Sequence, residues 1–310
     1  METFDSLLNV SAVPKNDEKA AFVARSKNER NRCYALSEKM TEQVAADGKA
    51  FQDYLDIQSR FLRYSPNNVL LIMAQNPDAT RLGDYGFWRD REVYVKRQER
   101  DNPILILEPG KEYTKDDGTK GTYYNAKRLY DVSQTNMRKE KTETEKITDE
   151  ELVAAVVSEP AADIRVAEKE QLPPKKGAFF DREDNCIYVR GGMDGHEIFR
   201  CLTPELVHAG FADGNPDYKR GDYSFYAYCA SYLLCKKYGI ETGDFDFSVS
   251  PEFFQNMELK EVRKELRTVW ESAAAISGRM EKAMEKNRPK NRQKEPEKEK
   301  PESHEWEAAR

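Results

Sequence analysis

An α+β fold is predicted by three features of the sequence. Apolar residues recur at helical spacing near the start and through the last third of the chain, short alternating runs lie between these blocks, and turn signals mark each change of period. N-terminal helices with a small antiparallel sheet should therefore precede a second, mainly helical domain with a short sheet. The chain has 310 residues, room for two compact units of roughly 100 to 200 residues each. Charged residues make up 34% and the mean hydropathy is -0.86, yet the apolar residues are clustered, so the cores are local and joined by charged connectors.

Residues 1–27 mix Pro14 with Lys, Asp and Glu without a period and read as a flexible arm. A helix should follow near Asn31 to Ala46. From Ala50 to Arg63, the residues Phe51, Leu55, Gln58 and Leu62 form a stripe at helical spacing. Ser65 before Pro66 reads as an N-cap with proline at the first helical position, where its missing N–H costs nothing. That helix should run from Pro66 to Gln75 and end at Asn76-Pro77. Val93 and Val95 then alternate within Glu92 to Lys96, Ile104 to Leu107 is a short buried-strand run, and Asp117-Gly118 is a hairpin signal before Tyr123 to Val132. Residues 28–136 thus make the first domain. Residues 137–176 read as a charged linker in which Glu150 to Val157 forms a short helix.

The second domain spans residues 177–286. Ala178-Phe179-Phe180 and Cys186 to Val189 are strands around an Asp184-Asn185 turn, and helices should cover His196 to Ala209, Tyr223 to Tyr238 with Gly239 as stop, and Leu259 to Lys286. Residues 287–310, rich in Lys, Glu and Pro, cannot bury enough apolar surface to fold alone and read as a disordered tail.

No run approaches the roughly 18 apolar residues of a membrane span, and Met1 to Asp5 lacks the basic-then-apolar order of a signal peptide. A cytoplasmic protein without a membrane partner is expected. Cys33, Cys186, Cys201, Cys229 and Cys235 show no Cys-x-x-Cys spacing, and their odd number favours reduced thiols. A net charge of -6 argues against indiscriminate duplex binding. It leaves room for a single-strand groove, which needs aromatic stacking and a few well-placed cations rather than a basic average.

Candidates for such a groove surround the Pro66 helix. Arg63, Asn67, Asn68 and Gln75 set one cation and three amides on or beside a helix whose first N–H groups are free to meet a phosphate. Tyr64, Tyr85, Phe87, Trp88 and Tyr94 add ring faces, and Lys96 and Arg97 add backbone charge. The competing reading makes Asn67 and Asn68 loop caps, Trp88 a core residue, and the tyrosines a seal over the sheet.

The block Phe61-Leu62-Arg63-Tyr64-Ser65-Pro66-Asn67-Asn68, continuing to Thr80, is followed by Trp88, by Ile104 to Pro109 and by Asp131-Val132-Ser133-Gln134-Thr135. In that order these motifs resemble the amino-terminal domain of ArdC-type antirestriction proteins. The resemblance, over residues 30–135, implies single-stranded DNA binding on a conjugative or other mobile genetic element. Glu197 to Ala209 similarly resembles the active helix of the family's zinc metallopeptidase domain, where His-Glu-x-x-His supplies two imidazoles one turn apart and the Glu activates water. Here Pro204 stands at the first His position, while Glu205 and His208 remain. In Tyr226 to Tyr232, Tyr228 stands where the family has its third ligand, a Glu.

The resemblance therefore implies a zincin-like domain lacking two of three ligands, with Glu205 and His208 as relics, no catalytic residues, and no cofactor although zinc is the family's metal. Substitutes are hard to find nearby. His196 lies about 18 Å from His208 along a continuous helix and Cys201 about 10 Å, although a break at Pro204 would alter this. The expectation is a single-stranded DNA-binding pseudoenzyme serving antirestriction or DNA transfer. The alternatives are a zinc peptidase with unconventional ligands, or an adaptor that recruits a protein partner through the C-terminal domain or tail.

Overall fold

The computed structural model describes residues 15–114, 118–137, 147–168, 172–173 and 175–287. The first part of the expected arm, Asp117 of the hairpin signal, much of the expected linker and the expected tail from residue 288 lie outside these.

Helix α1 runs Lys15–Ala46. From Lys15 onward this corrects the expected flexible arm: the segment holds no Gly or Pro and is rich in Ala, Lys, Glu and Arg, so a helix nucleated by packing further on extends back through it. That packing comes from Cys33, Ser37, Met40, Thr41 and Val44, all buried at helical spacing, whereas Phe22 and Val23 are exposed. Helix α2 spans Gly48–Arg60, capped by Asp47, whose carboxylate accepts from Ala50 N at 2.7 Å. The expected stripe of Phe51, Leu55, Gln58 and Leu62 is buried. Helix α3 is Pro66–Gln75, with Pro66 in its first turn as expected, although Ser65 makes no side-chain cap bond.

Strands β1 (Leu82–Gly83), β2 (Ile104–Thr114) and β3 (Lys120–Asp131) form an antiparallel sheet in the order β1-β3-β2. A short helix α4, Tyr85–Arg89, follows β1 and is too brief to leave a period in the sequence. The expected strand from Glu92 to Lys96 is corrected to a single bridge, Val95 to Thr135. Glu92 has φ +58, a left-handed turn incompatible with extended pairing.

In the second half come α5 (Asp149–Val156), β4 (Asp163–Ala167), β5 (Ala178–Asp181) and β6 (Cys186–Arg190). The order is β4-β6-β5, with β4 parallel and β5 antiparallel to β6. Asn185 turns the β5–β6 hairpin at φ +48, a geometry asparagine tolerates. Strand β4 sits inside the stretch expected as linker. Its five residues gain their pairing only from β6, far along the chain. Helices α6 (Gly195–Ala212), α7 (Arg220–Lys237), α8 (Ser250–Phe254) and α9 (Leu259–Asn287) complete the described chain.

The apolar core does not divide at the expected linker. One cluster runs from Met40 and Phe51 through Phe199 and Leu233 to Met280. Polar contacts cross the same boundary: Trp270 Nε1 donates to Leu62 O at 2.7 Å, and Tyr232 Oη donates to Asp56 at 2.6 Å. The long C-terminal helix thus braces the amino-terminal helices. Among the described residues no helix is long and apolar enough to cross a membrane.

Candidate functional site

Helix α3 meets β2 through two carboxamides. Asn68 Nδ2 donates to Leu107 O and its Oδ1 accepts from Leu107 N, both at 2.9 Å. Two turns later Gln75 repeats the pattern on Leu105, at 2.8 and 3.0 Å. Leu105 and Leu107 expose their peptide groups along the strand edge away from β3, and the amides act as a substitute neighbouring strand. Asn67 accepts from the buried Ser37 hydroxyl. Trp88 is 1% exposed, and its indole donates to Tyr130 O at 3.0 Å. Asn68, Gln75 and the Trp88 indole thus spend their polar groups on holding the fold, Asn67 spends its Oδ1 there, and the Trp88 face is buried.

The remaining candidates are accessible to different degrees. Tyr64 is half-buried, edge-on to Phe61, and Arg63 points toward α9, 3.6 Å from Glu281. Tyr85 is 46% exposed and leans on Tyr130 with ring centroids 4.8 Å apart. A group of exposed candidates lies after α4. Val95 is buried and bridges Thr135, Lys96 N donates to Gln134 O, and Tyr94 exchanges hydrogen bonds with Asn136. Because side chains alternate along an extended segment, burying Val95 turns Tyr94 and Lys96 outward. Tyr94 is 58% exposed, and Lys96 Nζ rests on Ser133 O at 2.9 Å. Arg97 follows, exposed at the start of a 3-10 turn, Arg97–Glu99. Arg91 stacks 3.8 Å above the Phe87 ring. Between Arg81 and Arg100 six cations face four carboxylates, in a chain of net charge -6.

Helix α6 carries the second constellation. Asp194 and Glu197 form a capping box at its start, and it continues through Pro204 without a break. Glu205 is 3% exposed; one carboxylate oxygen accepts from Phe180 N at 2.9 Å and the other from Arg220 at 2.6 Å. His208 is equally buried, with Nδ1 3.0 Å from the Tyr218 hydroxyl. Arg182 fixes that loop by donating to the carbonyls of Asn215, Pro216 and Tyr218. Sequence reasoning missed Arg220, Tyr218 and Arg182, none of which carries a motif.

Pro204 and Tyr228 line a cleft of about 340 Å³ together with Arg190, Cys201 and Ser231. The Tyr228 hydroxyl is occupied, accepting from Asp246 N at 2.6 Å. Cys201 is half-buried there, its thiol pushed up by burial. His196 is on the surface, 3.6 Å from Asp149. All five cysteines are free thiols. Among the described residues no three His, Cys, Asp or Glu side chains converge as a metal site. The groups at the metallopeptidase-like positions do not fit a metal: proline offers no donor, the Tyr228 phenol serves a backbone amide, and the Glu205 carboxylate is spent on Arg220.

Burial, with Arg220 and Lys176 nearby, pushes the His208 imidazole down to about 4. Between that value and the ordinary 6.5 of an unfolded chain, the unfolded state binds more protons than the folded one. Stability should therefore fall as pH drops through this window, by on the order of 2 kcal/mol. Urea unfolding of His208→Gln should show a visibly flatter acid limb. An unchanged limb would mean that His208 titrates in the folded protein as it does in water.

No family model and no curated protein matches the chain. Two solved structures resemble it. The manganese(II)-bound form of the antirestriction protein ArdC from plasmid R388 has a TM-score of 0.51 at 14% identity, covering 80% of this chain and 98% of that one. The metal-free form gives 0.46 at 15% identity, covering 72% and 86%. At such identity the likeness is one of fold, and it is the fold that the motifs around Pro66 and Glu205 anticipate.

Proposed function

We propose that this chain, built on the fold of the antirestriction protein ArdC, binds single-stranded DNA through the ridge after α4 and serves antirestriction or DNA transfer of a mobile element in the cytoplasm. The observation that carries the reading is the outward pairing of Tyr94 and Lys96, held by Val95 and Asn136, with Tyr85, Arg91 and Arg97 exposed on the same short stretch of sequence. Exposed rings stack on bases without demanding a sequence, and neighbouring cations follow the phosphates. Filter binding across a salt series should show tighter binding to single strands than to duplex, weakening as salt rises. Equal affinity for both forms would remove the reading. Replacing Tyr85 and Tyr94 by alanine should weaken single-strand binding at least about thirtyfold, since each stacked base contributes roughly 1 to 3 kcal/mol.

In the same proposal the α6–α7 region is a scaffold without peptidase chemistry. The comparison protein was solved with manganese, so a metal-dependent peptidase is the second reading, and metal content decides between them. Protein purified without chelator should carry far less than stoichiometric zinc or manganese. Pro204→His with Tyr228→Glu should raise zinc toward one per chain, because both positions face one cleft and His208 lies one turn along the same helix. Stoichiometric metal in the unaltered protein, lost on His208→Ala, would favour the peptidase.

A further inference from the structure

A second cleft, of about 390 Å³, opens between α1, the end of α3 and the turns at Arg97–Glu99 and Val132–Gln134. Its size falls in the range of small-molecule sites, roughly 300 to 1,000 Å³. We propose that it takes one nucleotide of the bound strand and selects a base whose exocyclic amine neighbours a bare ring nitrogen on the Watson–Crick edge, adenine or cytosine, over thymine. This rests on the single-strand reading above.

The floor is rigid. Gln134 Nε2 donates to Asn102 O at 2.7 Å and to Glu99 at 3.2 Å, while its Oε1 accepts from Asp131 N at 2.9 Å. Above it the groups are less committed. Asn102 reaches Glu99 only at 3.5 Å through Nδ2, and its side-chain Oδ1 has no hydrogen-bond partner among the described residues. The Asn76 side chain makes no hydrogen bond among them, and Arg32 makes neither a hydrogen bond nor an ion pair. The cleft thus presents two acceptors, the Glu99 carboxylate and the Asn102 amide oxygen, beside an amide offering both a donor and an acceptor.

That pattern complements a base edge whose two-hydrogen amine lies next to a bare ring nitrogen, as in adenine and cytosine; thymine presents a single N3–H between two carbonyl oxygens, so it satisfies one acceptor while an oxygen meets the other unfavourably. A carboxylate in the floor also argues against a phosphate at depth. Arg32 at the rim matches the phosphate instead, and Leu36 and Pro103 supply apolar walls for the ring. The cleft adjoins the ridge directly: Glu99 shares its turn with Arg97, and Lys96 holds the carbonyl of Ser133, another lining residue.

Fluorescence anisotropy with short homo-oligomers of deoxycytidine, deoxyadenosine and thymidine tests this on the full chain. Deoxycytidine or deoxyadenosine strands should bind about tenfold more tightly than thymidine, the usual scale of one discriminated base. Asn76→Ala and Glu99→Gln should each erase that preference while changing thymidine binding less than about threefold, and Arg32→Ala, on an exposed helix face, should weaken all three strands alike. Equal wild-type affinities, or a preference surviving both substitutions, would overturn the cleft assignment and leave the ridge reading standing. Failure of every oligomer to bind would overturn both.

Discussion

Glu205→Ala should cost about 3 kcal/mol and lower the melting temperature by on the order of 5 to 10 °C. The carboxylate is 3% exposed, and both oxygens are engaged, by Arg220 at 2.6 Å and by Phe180 N at 2.9 Å. Removing it strands a buried backbone N–H of β5 together with a guanidinium whose Nη1 already has no partner. The Arg220 side chain is 31% exposed, so water offsets part of the loss and the cost sits at the lower end of that for a broken buried pair. Arg220→Leu added to Glu205→Ala should recover part of the stability, since an apolar pair in this place leaves no uncompensated charge. A Glu205→Ala protein that unfolds in urea like the wild type would show the carboxylate to be solvated. The same geometry bears on function. A carboxylate tied to an arginine and a main-chain amide is not free to act as the general base that its position in the motif suggests.

Alanine at Arg89, Arg91, Lys96 and Arg97 together should reduce single-strand affinity at least about a hundredfold and lower the salt slope by up to about 3, each phosphate contact contributing roughly 0.7. All four side chains are exposed on one twenty-residue stretch, so the fold should survive. Alanine at Lys260, Lys264 and Arg267, exposed cations on α9, removes comparable charge elsewhere and should change affinity little. If both sets lower affinity equally, binding follows overall charge and the ridge has no special part in it.

Much of this was legible locally. Helix α3 has the bounds that Pro66 and Asn76-Pro77 dictate, because a missing N–H and a restricted φ act on adjacent residues alone. The Phe51 stripe predicted α2, since a helical period records which face must be buried. The missing donor at position 204 was legible too: a proline carries no donor atom wherever the chain places it. Helix α1 upstream of Asn31, by contrast, has no apolar period to announce it, and strand β4 is only five residues whose partner β6 lies more than twenty positions on.

What only the tertiary structure decided is the use of each polar or aromatic side chain. Asn68, Gln75 and Trp88 have the chemistry of a DNA contact, yet they meet Leu107, Leu105 and Tyr130, 39, 30 and 42 residues away, and are spent there. Tyr94 and Lys96 face outward because Val95 found Thr135. Glu205 is paired with Arg220, a residue no motif marks. Residue type sets what a side chain is able to bond. Which partner it meets, and whether water or a ligand can still reach it, depends on packing between distant segments, and backbone propensity does not encode that.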